Sequence, residues 1–307
     1  MKPKVIVIAG PTASGKTSLS IDLAKSINGE IISCDSMQIY KGMDIGTAKV
    51  TKEEAEGIKH YLIDCVEPNE RYTVSNFKKD AERCIEEILS KGKVPIIVGG
   101  TGLYVDSLIY GIEYSEMNFD EDYRNKLMKQ AETEQGLSEL YSKAKEIDSQ
   151  AMEKISPNDK KRIVRVLEIF NATGKTKTEL EIESRKKEIK YEYHVFIVNI
   201  ERELLYDRIN RRVDIMLEKG LIDEVKEIYE KYDSFPTAMQ GLGYKEVVEF
   251  LQNQVTKEEM VDKIKKESRH YAKRQLTWFR KDDTFIWLDG LNDKNDNIRI
   301  IREEVKL

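Results

Sequence analysis

Apolar runs alternate with amphipathic stretches along the N-terminal part of the chain. Runs that are apolar on both faces predict buried strands at Val5–Ala9, Glu30–Cys34, His60–Ile63 and Lys93–Val98. Helices are predicted between them at Lys16–Ile27 and from about Val74 to Lys91, where apolar side chains recur at helical spacing. Strands of this type separated by helices predict an α/β fold, a parallel sheet with helices on both faces.

A second kind of sequence begins near residue 112. Residues 113–190 are highly charged, have helical periodicity and show no clear strand pattern. The α/β pattern then resumes with a predicted strand at His194–Ile200, and Phe285–Leu288 predicts a late strand at the edge of the sheet. We therefore predict an α/β core, residues 1–112 and 191–307, interrupted by an inserted all-helical domain, residues 113–190.

The first strand leads into a phosphate-binding motif. The motif is Gly10, Pro11, Thr12, Ala13, Ser14, Gly15, Lys16 and Thr17, which match G-x-x-x-x-G-K-[ST] between a strand and a helix. Backbone N–H groups of such a loop form an anion cradle, and the positive N-terminus of the following helix points at the same charge. We expect Lys16 to reach the phosphate oxygens and Thr17 to hold Mg²⁺. The sequence thus predicts a P-loop core that binds a di- or triphosphate, a feature that several reaction classes share.

Further polar segments follow two other predicted strands. Asp35–Tyr40 comes directly after the second strand, and Gly99–Tyr104 comes after the fourth. Ligands of open parallel sheets bind outside the carboxyl ends of the strands, so both segments are expected beside the phosphate loop. From position alone, Asp35 is either a catalytic carboxylate, a helix cap or a partner of bound Mg²⁺. Asp64, at the end of the third strand, is a rival acid.

The composition narrows the class of protein. The chain has 307 residues, 40% hydrophobic and 35% charged, with a formal net charge of −5. Because no apolar run approaches the ~20 residues needed to cross a bilayer and no signal peptide is recognisable, we expect a cytoplasmic protein without a membrane partner. Its three cysteines are too few and too scattered for a zinc site or a disulfide framework. Cys34 and Cys65, at apolar strand ends, are expected to be buried small hydrophobes.

Positive charge is concentrated in local clusters despite the negative total. Residues 263–281 contain eight Lys or Arg against one acid, and Arg269–Arg280 interleaves these cations with aromatic residues. Such a mixture suits single-stranded nucleic acid, but it also fits an amphipathic helix whose aromatics are core, and the pattern leaves both open. A second basic cluster lies in the predicted insertion and consists of Lys160, Lys161, Arg162 and Arg165.

The predicted helix Arg202–Leu217 carries a third group of cations. Arg208, Arg211 and Arg212 lie beside its apolar stripe. A solvated basic face is the ordinary explanation of such arginines. A clamp on phosphate oxygens is the alternative, since the guanidinium fork matches them bidentately.

Taken together, the motifs resemble those of the tRNA dimethylallyltransferases, or tRNA isopentenyltransferases. The matching segments are Gly10–Thr17, Asp35–Lys49, Gly99–Tyr104, Pro157–Asp159 with Arg162 and Arg165, Gly241–Lys245, and Lys273–Arg280. They occur in the family's order and cover nearly the whole chain, and Asp35–Lys49 together with Lys273–Arg280 is highly specific. The cysteine pattern lacks the C-terminal zinc finger of eukaryotic members, so the chain resembles the compact bacterial-type form.

The resemblance implies a reaction and roles within it. A dimethylallyl group would pass from dimethylallyl diphosphate to the exocyclic N6 amine of the adenosine 3′-adjacent to the anticodon, in tRNAs reading codons that begin with U. Asp35 would take the amine proton late in bond formation, and Thr101 would help place the amine or the diphosphate. Lys16, Thr17 with Mg²⁺, and Arg212 would stabilise the departing diphosphate.

The resemblance also implies a tRNA surface. The partner would be an anticodon stem-loop, whose target base is flipped into a pocket, and we expect the protein to act as a monomer. The implied tRNA-binding residues are Asp35, Ser36, Met37, Gln38, Thr101, Tyr123, Asp159, Lys160, Lys161, Arg162, Ile163, Arg165, Gln240, Gly241, Leu242, Gly243, Tyr244, Lys245 and Arg274.

Other functions remain compatible with the phosphate loop. A nucleoside or nucleotide kinase would use it for ATP, with lid arginines close to the donor and no extended RNA surface. An adenylate isopentenyltransferase acting on free AMP would share the core but would not need residues 113–190 or the basic aromatic segment. A non-catalytic RNA-binding protein would bind stem-loops and turn nothing over.

Overall fold

Two units make up the part of the chain that the structure describes. The computed structural model describes residues 2–112, 120–186 and 188–306. Unit 1 comprises Met1–Ile109 with Lys190–Leu307, and unit 2 comprises Tyr110–Ile189. These divisions lie close to the predicted ones, although residue 113, the predicted start of the insertion, is outside the described residues.

Unit 1 is built on a parallel sheet. Among the described residues its strands are β1 (Lys4–Ala9), β2 (Gly29–Ser33), β3 (His60–Tyr61), β4 (Val94–Gly99), β5 (Glu192–Asn199) and β6 (Ile286–Asp289). All neighbouring pairs are parallel, in the order β3-β2-β4-β1-β5-β6. The predicted α/β fold is confirmed, and β6 is the edge strand that Phe285–Leu288 predicted.

Helices connect the strands and form unit 2. In chain order, the α-helices of the described residues are α1 (Lys16–Ile27), α2 (Lys52–Ala55), α3 (Val74–Ser90), α4 (Gly102–Ile109), α5 (Glu121–Gln130), α6 (Glu134–Ile147), α7 (Ser149–Met152), α8 (Lys160–Thr173), α9 (Lys177–Arg185), α10 (Arg202–Glu218), α11 (Leu221–Lys231), α12 (Tyr244–Leu251), α13 (Lys257–Phe279) and α14 (Lys294–Val305). Helices α5 to α9 belong to unit 2 and the others to unit 1. None of these described helices has the length and apolarity to cross a membrane.

Local signals explain the helices beside the phosphate loop. Helix α1 has the predicted bounds, because Gly15 before it and Asn28 after it adopt left-handed conformations with φ of 96° and 52°. Helix α3 begins with a capping box formed by Thr73 and Asn76. Their apolar faces pack on a sheet whose central strand β1 is fully buried from Val5 to Ala9. The polar loops at the strand ends are therefore held by a close-packed support.

Unit 2 has a hydrophobic core of its own. Leu140, Ile163, Val164 and Leu167 are buried together in it. Ile163 was predicted to contact tRNA, but its side chain has no exposed surface within this core. The neighbouring basic positions suggested RNA contact, whereas helical periodicity turns Ile163 inward, so the side chain has a packing role.

The prediction for Cys65 is wrong. Cys34 is buried as expected, but Cys65 is exposed. Strand β3 ends at Tyr61, and Leu62 and Asp64 have φ values of 58° and 55°, which turn the chain out of the sheet before Cys65. The apolar run that predicted a longer strand continues as a surface loop.

Candidate active site

A cavity of about 640 Å³ lies in unit 1, where β1, β2 and β4 end. Its walls include Thr12–Thr17 after β1, Asp35–Gln38 after β2, and Gly99 and Gly100 at the end of β4. Side chains of α10 and α13 and the segment 240–245 complete the lining. The three polar loops that the sequence placed at one edge of the sheet thus share one cavity.

The phosphate loop has the backbone that its glycines permit. Gly10 has φ of 141°, and a Cβ there would lie 2.3 Å from the carbonyl oxygen of Val198 on β5. Ala13 and Gly15 also have positive φ, 63° and 96°. Only a residue without a side chain fits at Gly10, because the loop starts in direct contact with the neighbouring strand. Thr17 is exposed at the start of α1.

Lys16 extends back over the phosphate loop. Its Nζ donates a hydrogen bond to the Pro11 carbonyl oxygen at 2.6 Å. Burial, together with the Arg212 guanidinium, lowers the pKa of Lys16 from 10.5 to about 7, against the opposing effect of the Asp35 carboxylate. An arriving anion would favour the charged form of Lys16 and would compete with Pro11 for its protons.

Asp35 is fixed by the turn that follows it. Its Oδ1 accepts hydrogen bonds from the backbone N–H groups of Met37 at 2.9 Å and Gln38 at 3.3 Å. Among the described residues none donates a hydrogen bond to Oδ2, and Asp35 lines the cavity with Lys16 and Arg212. One oxygen closes a local turn where the sequence interpretation had allowed a helix cap, and the other is available to a ligand, so the catalytic and Mg²⁺ interpretations stay predictions.

Asp64, the rival acid, has another role. It does not line the cavity, and its Oδ1 pairs with the buried Nζ of Lys49. The same Nζ also donates to the Tyr40 carbonyl oxygen at 2.9 Å and pairs with Asp44 at 2.6 Å. Asp64 therefore belongs to the ion-pair group that holds the loop after Asp35.

The arginines of α10 divide between the cavity and solvent. Arg208 and Arg212 line the cavity, and Arg212 Nη2 donates to the Thr47 carbonyl oxygen at 3.3 Å. Burial lowers the pKa of Arg212 while Asp35 raises it. Arg211 is exposed and pairs with Asp207 at 3.0 Å. The clamp interpretation therefore suits Arg212, with Arg208 beside it, and the solvated-face interpretation suits Arg211.

Thr101 lies just outside the cavity lining. Its Oγ1 accepts a hydrogen bond from the Ser36 N–H at 3.1 Å, which ties the loop after β4 to the loop after β2. A Cβ at Gly99 would lie 2.1 Å from the Cys34 carbonyl oxygen, so these two loops approach as closely as backbones can. This geometry makes Thr101 a support of the Asp35 loop.

The segment Gln240–Lys245 forms another wall of the cavity. All its residues, Gln240, Gly241, Leu242, Gly243, Tyr244 and Lys245, line it. Tyr244 is nonetheless fully buried as a side chain, and its hydroxyl donates to Glu224 Oε1 at 2.6 Å. That hydroxyl is therefore already engaged within the protein, which favours a supporting role over the predicted contact with tRNA.

Glu224, which the sequence interpretation missed, anchors the loop that contains Asp44, Ile45 and Gly46. Its carboxylate accepts hydrogen bonds from the N–H groups of Asp44 at 2.9 Å, Ile45 at 2.6 Å and Gly46 at 3.1 Å, besides the Tyr244 hydroxyl. Tyr244 packs directly on Gly46, where a Cβ would lie 2.5 Å from its ring. No local motif marks Glu224, because its partners lie far away in the sequence.

Helix α13 combines both interpretations of the basic aromatic segment. Phe279 is fully buried, whereas Tyr271, Arg274 and Gln275 line the cavity. The Arg274 guanidinium lies 5.7 Å from the Tyr271 ring centroid. Gln275, also missed from the sequence, donates from Nε2 to the Gly100 carbonyl oxygen at 2.9 Å and accepts from the Thr12 N–H at 3.0 Å.

The remaining predicted tRNA residues belong to unit 2. Lys160, Lys161 and Arg162 are exposed in the first turn of α8, which Asp159 caps by accepting from the Arg162 N–H at 3.1 Å. Arg165 lies 3.8 Å from the buried carboxylate of Glu168, which Arg124 holds with two hydrogen bonds. Tyr123 packs against the core of unit 2. Unit 2 by itself thus presents a small basic surface.

The donor set for a metal is sparse. Within the described residues there is no group of three or more His, Cys, Asp or Glu side chains that could hold a metal ion. Mg²⁺ often keeps several waters and binds through one or two protein oxygens plus substrate phosphates. The exposed Thr17 hydroxyl beside the phosphate loop fits that second kind of site.

Comparison with known proteins places these motifs in one family. The family model described as IPP transferase matches residues 38–282. The tRNA dimethylallyltransferase of Acetivibrio thermocellus is 52% identical over 93% of this chain and 91% of its own length. That of Lachnoclostridium phytofermentans is 49% identical over 100% of this chain and 97% of its own length.

Solved structures show the same likeness. The full-length tRNA isopentenylpyrophosphate transferase of Bacillus halodurans superposes with a TM-score of 0.74, at 43% identity, over 99% of this chain and 96% of that one. A eukaryotic dimethylallyltransferase, described as acting on tRNA, superposes with a TM-score of 0.81 at 32% identity, covering 99% of this chain and 80% of that one.

Proposed function

The chain belongs to the IPP transferase family, and we infer that it is an enzyme that transfers a dimethylallyl group to tRNA. The donor we propose is dimethylallyl diphosphate, and the acceptor is the N6 amine of the adenosine 3′-adjacent to the anticodon, in tRNAs reading codons that begin with U. The observation that carries the proposal is the meeting of Lys16, Arg212 and Asp35 in one cavity beside the phosphate loop.

The cations serve the leaving group. An allylic diphosphate departs with its bonding electron pair, so the transition state accumulates negative charge on the bridging oxygen. Donors fixed in place before the reaction stabilise such charge strongly. Lys16, Arg212 and the N–H groups of Ala13–Thr17 supply positive potential from the side of the phosphate loop.

The carboxylate serves the acceptor. The adenine amine is a weak nucleophile because its lone pair is delocalised into the ring, and its proton becomes acidic only as the new C–N bond forms. Asp35 Oδ2 takes that proton late, while Oδ1 stays bound to the turn N–H groups. The base must leave its stack to reach this cavity.

Mg²⁺ is a proposed cofactor. Thr17 would hold it together with the diphosphate, and the ion would supply additional positive charge for the departing diphosphate. We expect the enzyme to work as a monomer, because the proposed catalytic groups all come from unit 1 of a single chain.

The RNA surface is proposed from charge. Arg274 and the other cations of α13, and the basic first turn of α8, offer positive charge to phosphates. The segment Gln240–Lys245 and the loop Ser36–Gln38 line the cavity and would contact the flipped base and its neighbours.

A direct assay separates this function from the alternatives. Unmodified tRNA is incubated with the protein, Mg²⁺ and dimethylallyl diphosphate, and its nucleosides are then analysed by mass spectrometry. We expect N6-dimethylallyladenosine from tRNA and little product from AMP. Efficient prenylation of AMP would favour an adenylate isopentenyltransferase, phosphoryl transfer from ATP would favour a kinase, and stem-loop binding without product would favour an RNA-binding protein.

A further inference from the structure

We propose that Gln275 is a positioning residue, which holds the phosphate loop and the loop after β4 in the arrangement that diphosphate binding requires. The inference rests on the proposed function only for the identity of the donor. Gln275 is 6% exposed on α13, and its amide spans two loops that precede it by more than 170 residues.

Both ends of the Gln275 amide are committed. Its Nε2 donates to the Gly100 carbonyl oxygen at 2.9 Å, and its Oε1 accepts from the Thr12 N–H at 3.0 Å. The fit is close, because a Cβ at Gly100 would lie 2.1 Å from Nε2. A buried primary amide that bridges two backbones in this way restrains the distance and the angle between them.

On the phosphate-loop side, the bond fixes a single peptide group. The N–H of the Pro11–Thr12 peptide donates to Gln275, and its carbonyl oxygen accepts from Lys16 Nζ at 2.6 Å. The N–H and the carbonyl oxygen of this peptide are therefore both hydrogen-bonded, which fixes its orientation. Gln275 thereby sets where the Lys16 head group rests before the donor arrives.

The other hydrogen bond of Gln275, to the Gly100 carbonyl oxygen, lies close to the loop of Asp35. Gly100 precedes Thr101, whose Oγ1 accepts from the N–H of Ser36, the residue after Asp35. The Gln275 side chain thus links the phosphate loop, where the diphosphate would bind, to the loop that carries Asp35.

Trp278, one turn further along α13, offers a matched control. Its Nε1 donates to Asp106 Oδ2 at 3.0 Å, and its ring packs on Gly102, where a Cβ would lie 2.4 Å away. Trp278 fastens α13 to α4 without a hydrogen bond to the phosphate loop. Trp278→Phe therefore loosens the helix contact and spares the bridge.

The experiment measures the dissociation constant of inorganic diphosphate by calorimetry, beside that of an anticodon stem-loop. Gln275→Met keeps the length of the side chain and removes both hydrogen bonds. We expect diphosphate to bind about ten- to a hundredfold more weakly, the loss expected for two neutral hydrogen bonds. In steady-state assays of Gln275→Met the donor KM should rise by the same factor, while its affinity for the stem-loop stays at the wild-type level. The control variant Trp278→Phe should keep the wild-type affinity for diphosphate.

Gly100→Ala tests the bridge from its other end, because the added Cβ displaces the Gln275 amide. It should mimic Gln275→Met, and the double variant should lose little more than either alone, since both break one contact. Additive losses, unchanged diphosphate affinity in a folded Gln275→Met, or equal losses in Trp278→Phe would overturn the inference. Because binding is measured directly, absence of prenyl transfer would refute the proposed function and leave this result standing.

Discussion

At the scale of single residues, Asp35 closes a local turn with one carboxylate oxygen, and we propose that its other oxygen accepts the amine proton. Asp35→Asn keeps an oxygen for the N–H groups of Met37 and Gln38 but removes the proton acceptor. We expect the single-turnover rate to fall about 10²–10⁴-fold, the usual range for loss of a general base, with donor and stem-loop affinities retained. Rapid-quench measurement at saturating donor checks this. Asp64→Asn is the control and should leave the rate nearly unchanged, and the opposite ranking would contradict the assignment of Asp35 as the base.

Lys16 shows the cost of keeping a cation ready for an anion. Its pKa of about 7, against 10.5 in water, means that the fold disfavours the charged form. Below pH 7 the lysine is charged in both the folded and the unfolded protein, so the full cost of burying its charge lowers the stability. Between pH 7 and 10.5 the unfolded chain holds more protons at this site, so stability rises with pH over that range.

Lys16→Met should therefore raise the melting temperature of the free protein while abolishing diphosphate binding. We expect a gain of about a few degrees near neutral pH that shrinks as the pH rises. Thermal unfolding of both proteins over a pH series, with calorimetry for diphosphate, measures the two effects. A variant less stable than wild type at neutral pH, or one that still binds diphosphate, would contradict the assignment.

At the scale of elements, loops that the sheet brings together depend on anchors from distant helices. Glu224 on α11 receives the N–H groups of Asp44, Ile45 and Gly46 together with the Tyr244 hydroxyl. The loop that it anchors contains Thr47, whose carbonyl oxygen accepts from Arg212 and from Gln38. The position of the Arg212 side chain is thus set partly from α11.

Glu224→Gln should loosen this loop, because an amide presents one oxygen where a carboxylate presents two. At least one of the donors loses its partner, which costs about 1–3 kcal/mol of unfolding free energy. We expect a lower kcat as well, since Arg212 donates to the Thr47 carbonyl oxygen of this loop. Denaturant unfolding and steady-state kinetics test both, with Glu227→Gln, an exposed residue on the same helix, as control. Equal effects of the two substitutions would show that Glu224 does not anchor the loop.

The same elements show what could be predicted from the sequence. The phosphate loop, α1 and the strand-end position of Asp35 were predicted correctly, because each is specified by a few adjacent residues. Gln275 and Glu224 were missed, since their partners lie 263 and about 180 residues away and no local pattern encodes such pairs. Ile163 and Tyr244 were assigned to tRNA through neighbouring motif residues, although burial places their side chains in packing roles.

At the scale of the molecule, two units carry basic surfaces in a chain with a net charge of −5. We expect an anticodon stem-loop to be prenylated far more efficiently than AMP, and its binding to weaken steeply with salt, because each neutralised phosphate releases counterions. Replacing Lys160, Lys161 and Arg162 with alanine should flatten the salt dependence without changing diphosphate affinity.

The control for this prediction neutralises Lys126 and Lys129, which are exposed on another helix of unit 2. That variant should keep the wild-type salt slope. Filter binding across a salt series, together with kcat/KM for both acceptors, makes the measurement. Salt-independent binding, or similar kcat/KM for AMP and stem-loop, would favour a free-nucleotide transferase.

The position of β5 has a consequence for how the protein is made. As the nascent chain leaves the ribosome, β1 can pair with β4, but its other edge stays open until residues 192–199 emerge. Unit 2 is synthesised in that interval and can fold from local contacts alone, whereas the sheet waits with an unpaired hydrophobic strand. The interval during translation before β5 emerges is thus the stage most exposed to aggregation, and chaperones would be needed most there.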